Sequence, residues 1–268
     1  MTARTAPAFV VRPRSGVLTF VPDTLLLTHR HLRHTIRSPM LIVLSAITPI
    51  MFVLLFRYVF GGALQVPGYA SYATFLIPGV IVQTALFGGS SSAVGVAEEL
   101  SAGMTDRLRS LPTNRAAILT ARTLADMLRL TFTILVVVAV GLLVGFRVHS
   151  GVPETLAAFG IAILFGYACA WLFTLVGLMA ANVEAATMAG FLVCFPLVFA
   201  SSAFTSTATM PSGLRAFADA QPVTQVSNTL RALLNNGAVE PTLLRSLLWS
   251  GGILLVAATL ATVRFRRG

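Results

Sequence analysis

Residues 155–180 read TLAAFGIAILFGYACAWLFTLVGLMA and contain no Asp, Glu, Arg or Lys. An α-helix rises 1.5 Å per residue, so this stretch is about 39 Å long as a helix. The hydrocarbon core of a membrane is about 30 Å thick, which a helix of this length crosses with some tilt. The stretch therefore predicts a transmembrane helix and an all-α integral membrane fold.

Five further runs reach the length of about 20 mostly apolar residues that a span requires. The six predicted spans are residues 39–60, 72–97, 123–146, 155–180, 186–204 and 243–263. The run 186–204 is the shortest and contains Pro196. Composition agrees with a membrane protein, since 56% of the 268 residues are hydrophobic and only 10% are charged, against about a quarter charged in soluble domains.

All 19 basic residues are arginines, and the chain has no lysine. A Walker A phosphate loop needs a lysine, so the chain by itself is not a conventional P-loop ATPase, and Schiff-base chemistry is excluded as well. No H-E-x-x-H or G-x-S-x-G motif occurs, and no span holds paired carboxylates, so an intramembrane enzyme is not indicated. Cys169 and Cys194 lie in apolar runs and are expected to be reduced, packed thiols with no metal site.

The arginines are distributed unequally between the two sides of the predicted topology. Fourteen of them precede the first span, lie between the second and third spans or in the first turns of the third, or follow the last span, whereas five lie on or near the other side. Basic residues accumulate in cytoplasmic flanks. Both termini are therefore predicted to be cytoplasmic, in agreement with an even number of spans.

The segment before the first span divides into two parts. Residues 1–20 are expected to form a mobile cytoplasmic tail, and residues 21–38 have the period of an amphipathic helix. Arg30, Arg33 and Arg37 gather on one side of that helix, which suits contact with anionic headgroups on the cytoplasmic leaflet. A plain positive-inside anchor is the alternative interpretation.

Residues 98–112 form a second amphipathic segment, on the cytoplasmic side. Its apolar residues recur at four- and three-residue steps, and Pro112 ends the pattern. The next predicted helix begins near Arg115 and continues directly into the third span. Such a segment either transmits force from a soluble partner or is an ordinary surface helix, and the pattern alone leaves both open.

The external stretch 205–242 is too polar to span the membrane and too apolar for a solvated loop. Irregular backbone at membrane depth must be buried in protein or line a wet cavity. We therefore expect short helices around 211–220 and 224–235 that dip into the outer leaflet.

Polar and small residues within the spans are the candidates for a transport path, although close helix packing accounts for many of them. The possible path or gate residues are Gln83, Thr84, Ser90 and Glu184. Gly141 and Gly145 form a small-xxx-small pair in the third span, which favours packing. An ion-coupled secondary transporter is the alternative function, but it needs an ionisable residue deep in a span, and the second, fourth and fifth spans have no Asp, Glu or Arg.

Three motifs carry a resemblance to a known family: EELSAGMTDRLRSLPTNRAAILTARTLADMLR at 98–129, VGFRVHSG at 144–151 and QPVTQVSNTLRALL at 221–234. With the six-span plan, they make the chain resemble the permease subunits of ABC-2-type exporters, especially those of the actinobacterial daunorubicin-resistance type, with 39–268 as the transmembrane domain. In that family the acidic residues and the D-R-L-R-S-L-P run form a coupling helix that inserts into a groove on a separate ATPase. The coupling residues implied here are Glu98, Glu99, Gly103, Asp106, Arg107, Leu108, Leu111 and Pro112.

The resemblance also implies a function and partners. The chain is expected to be a non-enzymatic transport subunit that exports an amphiphilic drug, lipid or secondary metabolite through the bacterial inner membrane. It would bind no cofactor itself, because ATP and Mg²⁺ belong to the partner ATPase, present in two copies. A second permease chain, identical or related, and membrane lipids complete the expected partners, and no nucleic acid is among them.

Overall fold

The structure is a computed structural model that describes residues 17–36, 39–61, 69, 71–103, 115–240 and 242–267. Within those ranges every regular element is helical, and no strand occurs. The α-helices are α1 Val17–Ile36, α2 Pro39–Leu55, α3 Tyr72–Ser101, α4 Arg115–Leu143, α5 Val152–Met179, α6 Val183–Phe199, α7 Ser212–Ala220, α8 Pro222–Leu234 and α9 Thr242–Arg267. A π-helical turn, Phe56–Phe60, continues α2. The predicted all-α class is confirmed.

Five stretches of these helices are long and apolar enough to cross a membrane. They are Val43–Phe60, Tyr72–Ser101, Ala117–Leu143, Val152–Met179 and Thr242–Phe265. They coincide with the first four predicted spans and the sixth.

The fifth predicted span is represented by α6, which has only 17 residues and is therefore about 25 Å long. It begins before the predicted start at 186 and ends at Phe199, where 204 was predicted. The Ala200 N–H donates to the Pro196 carbonyl in the last turn, and residues 200–205 form turns and bends rather than helix. A count of six spans stays a prediction.

Helix α3 is the centre of the bundle. It packs against α5, α6, α4, α8 and α2, and it is buried continuously from Tyr72 to Leu86. Glycines let neighbouring backbones approach it closely, as small residues do in membrane helix contacts. A Cβ at Gly177 of α5 would lie 2.5 Å from the Ala93 carbonyl oxygen, and one at Gly89 of α3 would lie 2.6 Å from the Cβ of Cys169. Packing is thus one role of the small residues in the second predicted span.

A second apolar cluster joins the helices at one end of the bundle, which we name the basic end. There α1 packs on α4, and the cluster includes Leu27, Ala121, Trp171 and Phe265. The packed side of α1 carries Thr24, Leu27 and Thr28, whereas Leu25 and Leu26 are exposed. Helix α1 begins at Val17, so the expected boundary at residue 21 falls inside it.

The opposite end, which we name the far end, holds the turn after α6 together with α7 and α8. The two short helices predicted around 211–220 and 224–235 are confirmed as helices, and their entry into a membrane leaflet stays a prediction. Helix α8 is buried along nearly its whole length against α3, α5 and α9. Its buried polar residues are Thr224, Gln225, Ser227, Thr229 and Arg231.

Candidate functional site

A cavity of about 490 Å³ lies between α2 and α6, with α3 and α4 completing its wall. Both α2 and α6 pack on α3, and the cavity separates them. The lining residues are Leu44, Ser45, Thr48, Pro49, Phe52, Gln83, Thr84, Phe87, Gly88, Ser91, Arg129, Leu130, Thr133, Phe191 and Phe195. Pockets for drug-sized molecules have volumes of about 300–1,000 Å³ and are mostly apolar with a few polar groups, and this cavity meets that description.

Some polar groups of the cavity have hydrogen-bond partners within the protein, and others do not. The hydroxyl of Thr84 donates to the Val80 carbonyl at 2.7 Å, and that of Thr133 donates to the Arg129 carbonyl at 3.1 Å. Gln83 is only 3% exposed, and its Oε1 meets no hydrogen-bond donor among the described residues. This amide oxygen is itself buried, so it is an acceptor without a partner in the wall behind the cavity.

A charged pair on α4 meets two serines of α3 beside this cavity. Arg129 contacts Asp126 at 3.4 Å and donates to the hydroxyl of Ser91, while the hydroxyl of Ser92 donates to Asp126 at 2.7 Å. Because α4 begins at Arg115, Arg129 is the fifteenth of its 29 residues and lies at the middle of the helix. The pair carries no net charge, so the site does not require an ionised ligand.

At the basic end, the last turn of α3 is tied to the first half of α4. Arg122 of α4 forms an ion pair with Glu99 in the last turn of α3, and both side chains are mostly buried. A Cβ at Gly95 would overlap the Arg122 guanidinium, so the glycine lets that side chain lie across α3. The hydroxyl of Thr28 donates to the Ala121 carbonyl at 3.3 Å, which fixes α1 to the same region.

His31 of α1 faces this charged cluster. Burial lowers its pKa below the usual value of 6.5, and Arg122 and Arg30 act in the same direction. Glu99 and Asp126 raise the pKa and only partly offset the effect. His31 is therefore neutral at pH 7.

The start of the predicted coupling helix needs a correction. Glu98 and Glu99 belong to the last turn of α3, which ends at Ser101, and Gly103 has the positive φ of 63° that glycine adopts readily after a helix. The helix predicted over 98–112 therefore does not begin at Glu98. Asp106, Arg107, Leu108, Leu111 and Pro112 lie outside the described residues, as does Arg37, whereas Arg30 and Arg33 are exposed on α1.

Comparison with known families gives this arrangement an identity. The ABC-2 type transporter family matches residues 22–235, from α1 to the end of α8. The chain belongs to the ABC-2 type transporter family. Its relatives are permeases of drug-resistance ABC transporters, so it is an ABC-2 membrane permease rather than a soluble motor subunit.

Two curated relatives illustrate the similarity. The daunorubicin resistance ABC transporter permease protein DrrB1 of Streptomyces coeruleorubidus is 31% identical over 200 residues, which cover 75% of this chain and 70% of that protein. The probable doxorubicin resistance ABC transporter permease protein DrrC of Mycobacterium tuberculosis is 28% identical over 263 residues, 98% of this chain and 95% of that protein.

In this ABC-2 permease the candidate path residues do not form one group. Gln83 and Thr84 line the cavity, with Ser91 and Arg129 nearby. The hydroxyl of Ser90 donates to the Phe87 carbonyl at 2.8 Å, and the residue faces Gly190 at the contact with α6. Glu184 is exposed in the first turn of α6, apart from the cavity.

Arg231 of α8 is a central residue that the sequence reasoning missed. It is 2% exposed, and its five N–H groups all donate: to the Phe75, Ser202 and Ala203 carbonyls and to the Ser202 and Asn228 side chains, at 2.7–3.1 Å. The guanidinium also lies 3.6 Å from the centre of the Phe75 ring. The available signal was one arginine within the amphipathic motif at 221–234, a residue that is costly to bury without partners.

Proposed function

We propose that this permease is the membrane-spanning subunit of an ATP-driven exporter that moves an amphiphilic drug, lipid or secondary metabolite out of the cell. ATP and Mg²⁺ bind a separate ATPase subunit, present in two copies. Two permease chains, identical or related, pair in the complex. The chain resides in the bacterial inner membrane as a multi-pass protein with both termini cytoplasmic.

The distribution of charge supports this orientation. Arg30, Arg33 and Arg122 share the basic end with the C-terminal part of α9. The far end carries α7 and α8 and fewer arginines. Under the positive-inside rule we assign the basic end to the cytoplasm, which is the side on which a cytosolic ATPase would bind.

The Glu99–Arg122 ion pair is the observation that carries the coupling role. It joins the two helices that enter and leave residues 104–114, and α1 is hydrogen-bonded to the same turn of α4. A displacement of that segment therefore moves α3 and α4 together, and these two helices form much of the cavity wall. ATP-driven motion of a partner is thereby linked to the shape of the cavity.

The cavity and the relatives together support an amphiphilic cargo. Its lining is mostly apolar, with Gln83 and Arg129 as polar groups. The relatives' names refer to resistance to daunorubicin and doxorubicin. We extend from them only the class of drug-like amphiphile, because a pair of opposite charges on α4 leaves the cavity without a fixed net charge.

The test is co-purification of the ATPase with variants of the coupling segment, together with transport in membrane vesicles. Asp106→Arg and Leu108→Asp should each abolish ATPase association and ATP-driven transport and leave membrane insertion intact. Asp219→Arg is the matched control, since Asp219 is an exposed acidic residue on α7 at the far end, and it should retain both. Transport that persists in Asp106→Arg and Leu108→Asp would remove the segment from the mechanism, and transport driven by an ion gradient alone would establish a secondary transporter instead.

A further inference from the structure

A groove of about 670 Å³ lies between α5 and α9, on the outside of the bundle and apart from the cavity between α2 and α6. The α9 residues that line it recur at three- and four-residue steps from Arg245 to Leu260, so they form one stripe along the helix. Leu172 and Leu175 of α5 form the opposite wall. On the stripe, Val256 and Leu260 are exposed. The groove is therefore an apolar surface that faces the surroundings of the bundle.

One charged side chain stands where the groove begins. Arg245 is the fourth residue of α9 and is exposed, and among the described residues it has neither an ion pair nor a hydrogen-bond partner. Trp249 lies one turn further along the stripe, and its Nε1–H donates to the Ala220 carbonyl at the end of α7, at 3.1 Å. Tryptophan is enriched at the headgroup level of membranes. Arg245 lies about 6 Å further out along α9, which is the depth of the lipid phosphates.

The length of the groove matches one leaflet of a membrane. Leu260 follows Arg245 by 15 positions, which is about 22 Å along an α-helix. A leaflet with its headgroup region is about 20–22 Å thick, half of the roughly 40–45 Å across a bilayer. A Cβ at Gly252 would meet no atom within 4 Å, so the middle of the groove is open. A lipid whose phosphate contacts Arg245 can therefore lay one acyl chain along the stripe.

From these observations we propose that the groove is a binding site for a phospholipid with a net negative headgroup. The guanidinium of Arg245 holds the phosphate, because its paired N–H donors match phosphate oxygens, and the stripe from Trp249 to Leu260 holds one acyl chain. An anionic headgroup neutralises the charge of Arg245, whereas a zwitterionic headgroup does so only in part. The site is separate from the cavity and does not depend on the ATPase.

The experiment uses Trp249 as a reporter inside the groove. Trp249 is 43% exposed, whereas Trp171, the other tryptophan of the chain, is 5% exposed in the cluster at the basic end. The purified chain is placed in phosphatidylcholine nanodiscs with a minor fraction of phosphatidylglycerol, and one lipid at a time carries brominated acyl chains that quench nearby indole fluorescence. Trp249→Phe gives the Trp171 signal that is subtracted.

The measured quantity is the ratio of the binding constants of phosphatidylglycerol and phosphatidylcholine at Trp249. In the wild type this ratio should be about five, because one arginine near the membrane surface contributes about 1 kcal/mol toward an anionic lipid.

Two variants with the same change of charge locate the headgroup. Arg245→Gln should reduce the ratio to about one. Arg147→Gln is the control, since Arg147 is exposed after α4 and donates to the Leu142 and Phe146 carbonyls, and it should leave the ratio unchanged. A ratio that survives in Arg245→Gln, or that falls equally in both variants, would overturn the proposal.

A second pair of variants locates the acyl chain. Gly252→Leu fills the groove and should lower the ratio toward one, because the lipid no longer lies beside Arg245. Gly251→Leu is the matched control, since a Cβ there also meets no atom within 4 Å but the residue does not line the groove. If Gly252→Leu is not monodisperse, Val256→Phe in the groove replaces it, with the exposed Leu255 outside the groove as the control Leu255→Phe. Equal ratios within a pair would overturn the proposal.

Other occupants of the groove give different results. Glycerol phosphate in the buffer should not change the ratio, and a ratio abolished by it would indicate an anion site that needs no acyl chain. Absence of quenching by both lipids would indicate that a second copy of the chain or another protein covers the groove. Either result overturns the lipid site and leaves the ATPase role, which co-purification tests separately, unaffected.

Discussion

Arg231 holds the far end of the bundle together, and its replacement by methionine should be strongly destabilising. Its donors reach Phe75 in α3 and the Ser202 and Ala203 carbonyls in the turn after α6, so one side chain fixes three elements. The Arg231→Met variant keeps an unbranched apolar stem and removes every donor.

The magnitude follows from the groups that lose their partner. Three buried carbonyl oxygens lose a charged donor, at about 1–3 kcal/mol each, and the contact with the Phe75 ring adds about 1 kcal/mol. The variant also avoids the desolvation penalty of a buried charge, which offsets part of this loss. The net loss is about 3–5 kcal/mol, which lowers the Tm by about 6–20 °C for a chain of this size.

Thermal unfolding in detergent, followed by intrinsic fluorescence, measures the effect. Arg231→Lys should fall between wild type and Arg231→Met, because the ammonium keeps the charge but has three donors in place of five. Arg215→Met is the control: its side chain is 53% exposed and pairs with Asp219, so it should cost at most about 1 kcal/mol. A Tm shift in Arg231→Met no larger than that of Arg215→Met would refute the structural role.

Three further predictions concern packing, the membrane surface and pH. Gly177→Ala should destabilise the chain by about 1–3 kcal/mol through overlap with α3. Gly160→Ala, on the same helix, adds a Cβ that meets no atom within 4 Å and should stabilise the chain by up to about 1 kcal/mol. If both variants shift the Tm in the same direction, this explanation is contradicted. Anionic nanodiscs should slow hydrogen exchange of the α1 amides relative to neutral nanodiscs. The double variant Arg30→Glu, Arg33→Glu should remove about 2 kcal/mol of that protection, which is a factor of about 30 in the exchange rate. Protection that is unchanged in the double variant would argue against contact with headgroups. The pKa of His31 is lower in the folded chain than in the unfolded chain. Its contribution to the free energy of unfolding is therefore complete above pH 6.5 and is lost as the pH falls below that value. His31→Gln should flatten the decline of the Tm between pH 7.5 and 5.5, and a decline identical to that of the wild type would exclude His31 as its cause.

The membrane helices were predictable because apolar length is a local property of the sequence. The ends of these helices were harder to predict, because a helix continues past its apolar run when polar side chains form hydrogen bonds or ion pairs with one another. Helix α3 thus extends to Ser101, past the predicted span end at residue 97, whereas α4 begins at Arg115, as predicted for the helix that continues into the third span. Gly141 packs against Ile77 as expected, but α4 ends at Leu143, and Gly145 lies in the following turn with a φ of 101° rather than in a helix contact.

The site depends on pairings between distant segments, which a single sequence does not reveal. Arg231 donates to a carbonyl 156 residues away, and the cavity combines side chains of four helices. Polarity within an apolar span points to Gln83 and Thr84, and both line the cavity. Nothing local distinguishes them from Ser90, whose side chain instead faces α6.

The most direct test of the central claim is affinity purification of the chain from its native membrane, with reconstitution of what is recovered. The permease assignment predicts a stoichiometric ATPase, a second permease chain, and transport that requires ATP and no ion gradient. Recovery of the chain alone, with transport in liposomes without ATP, would contradict it.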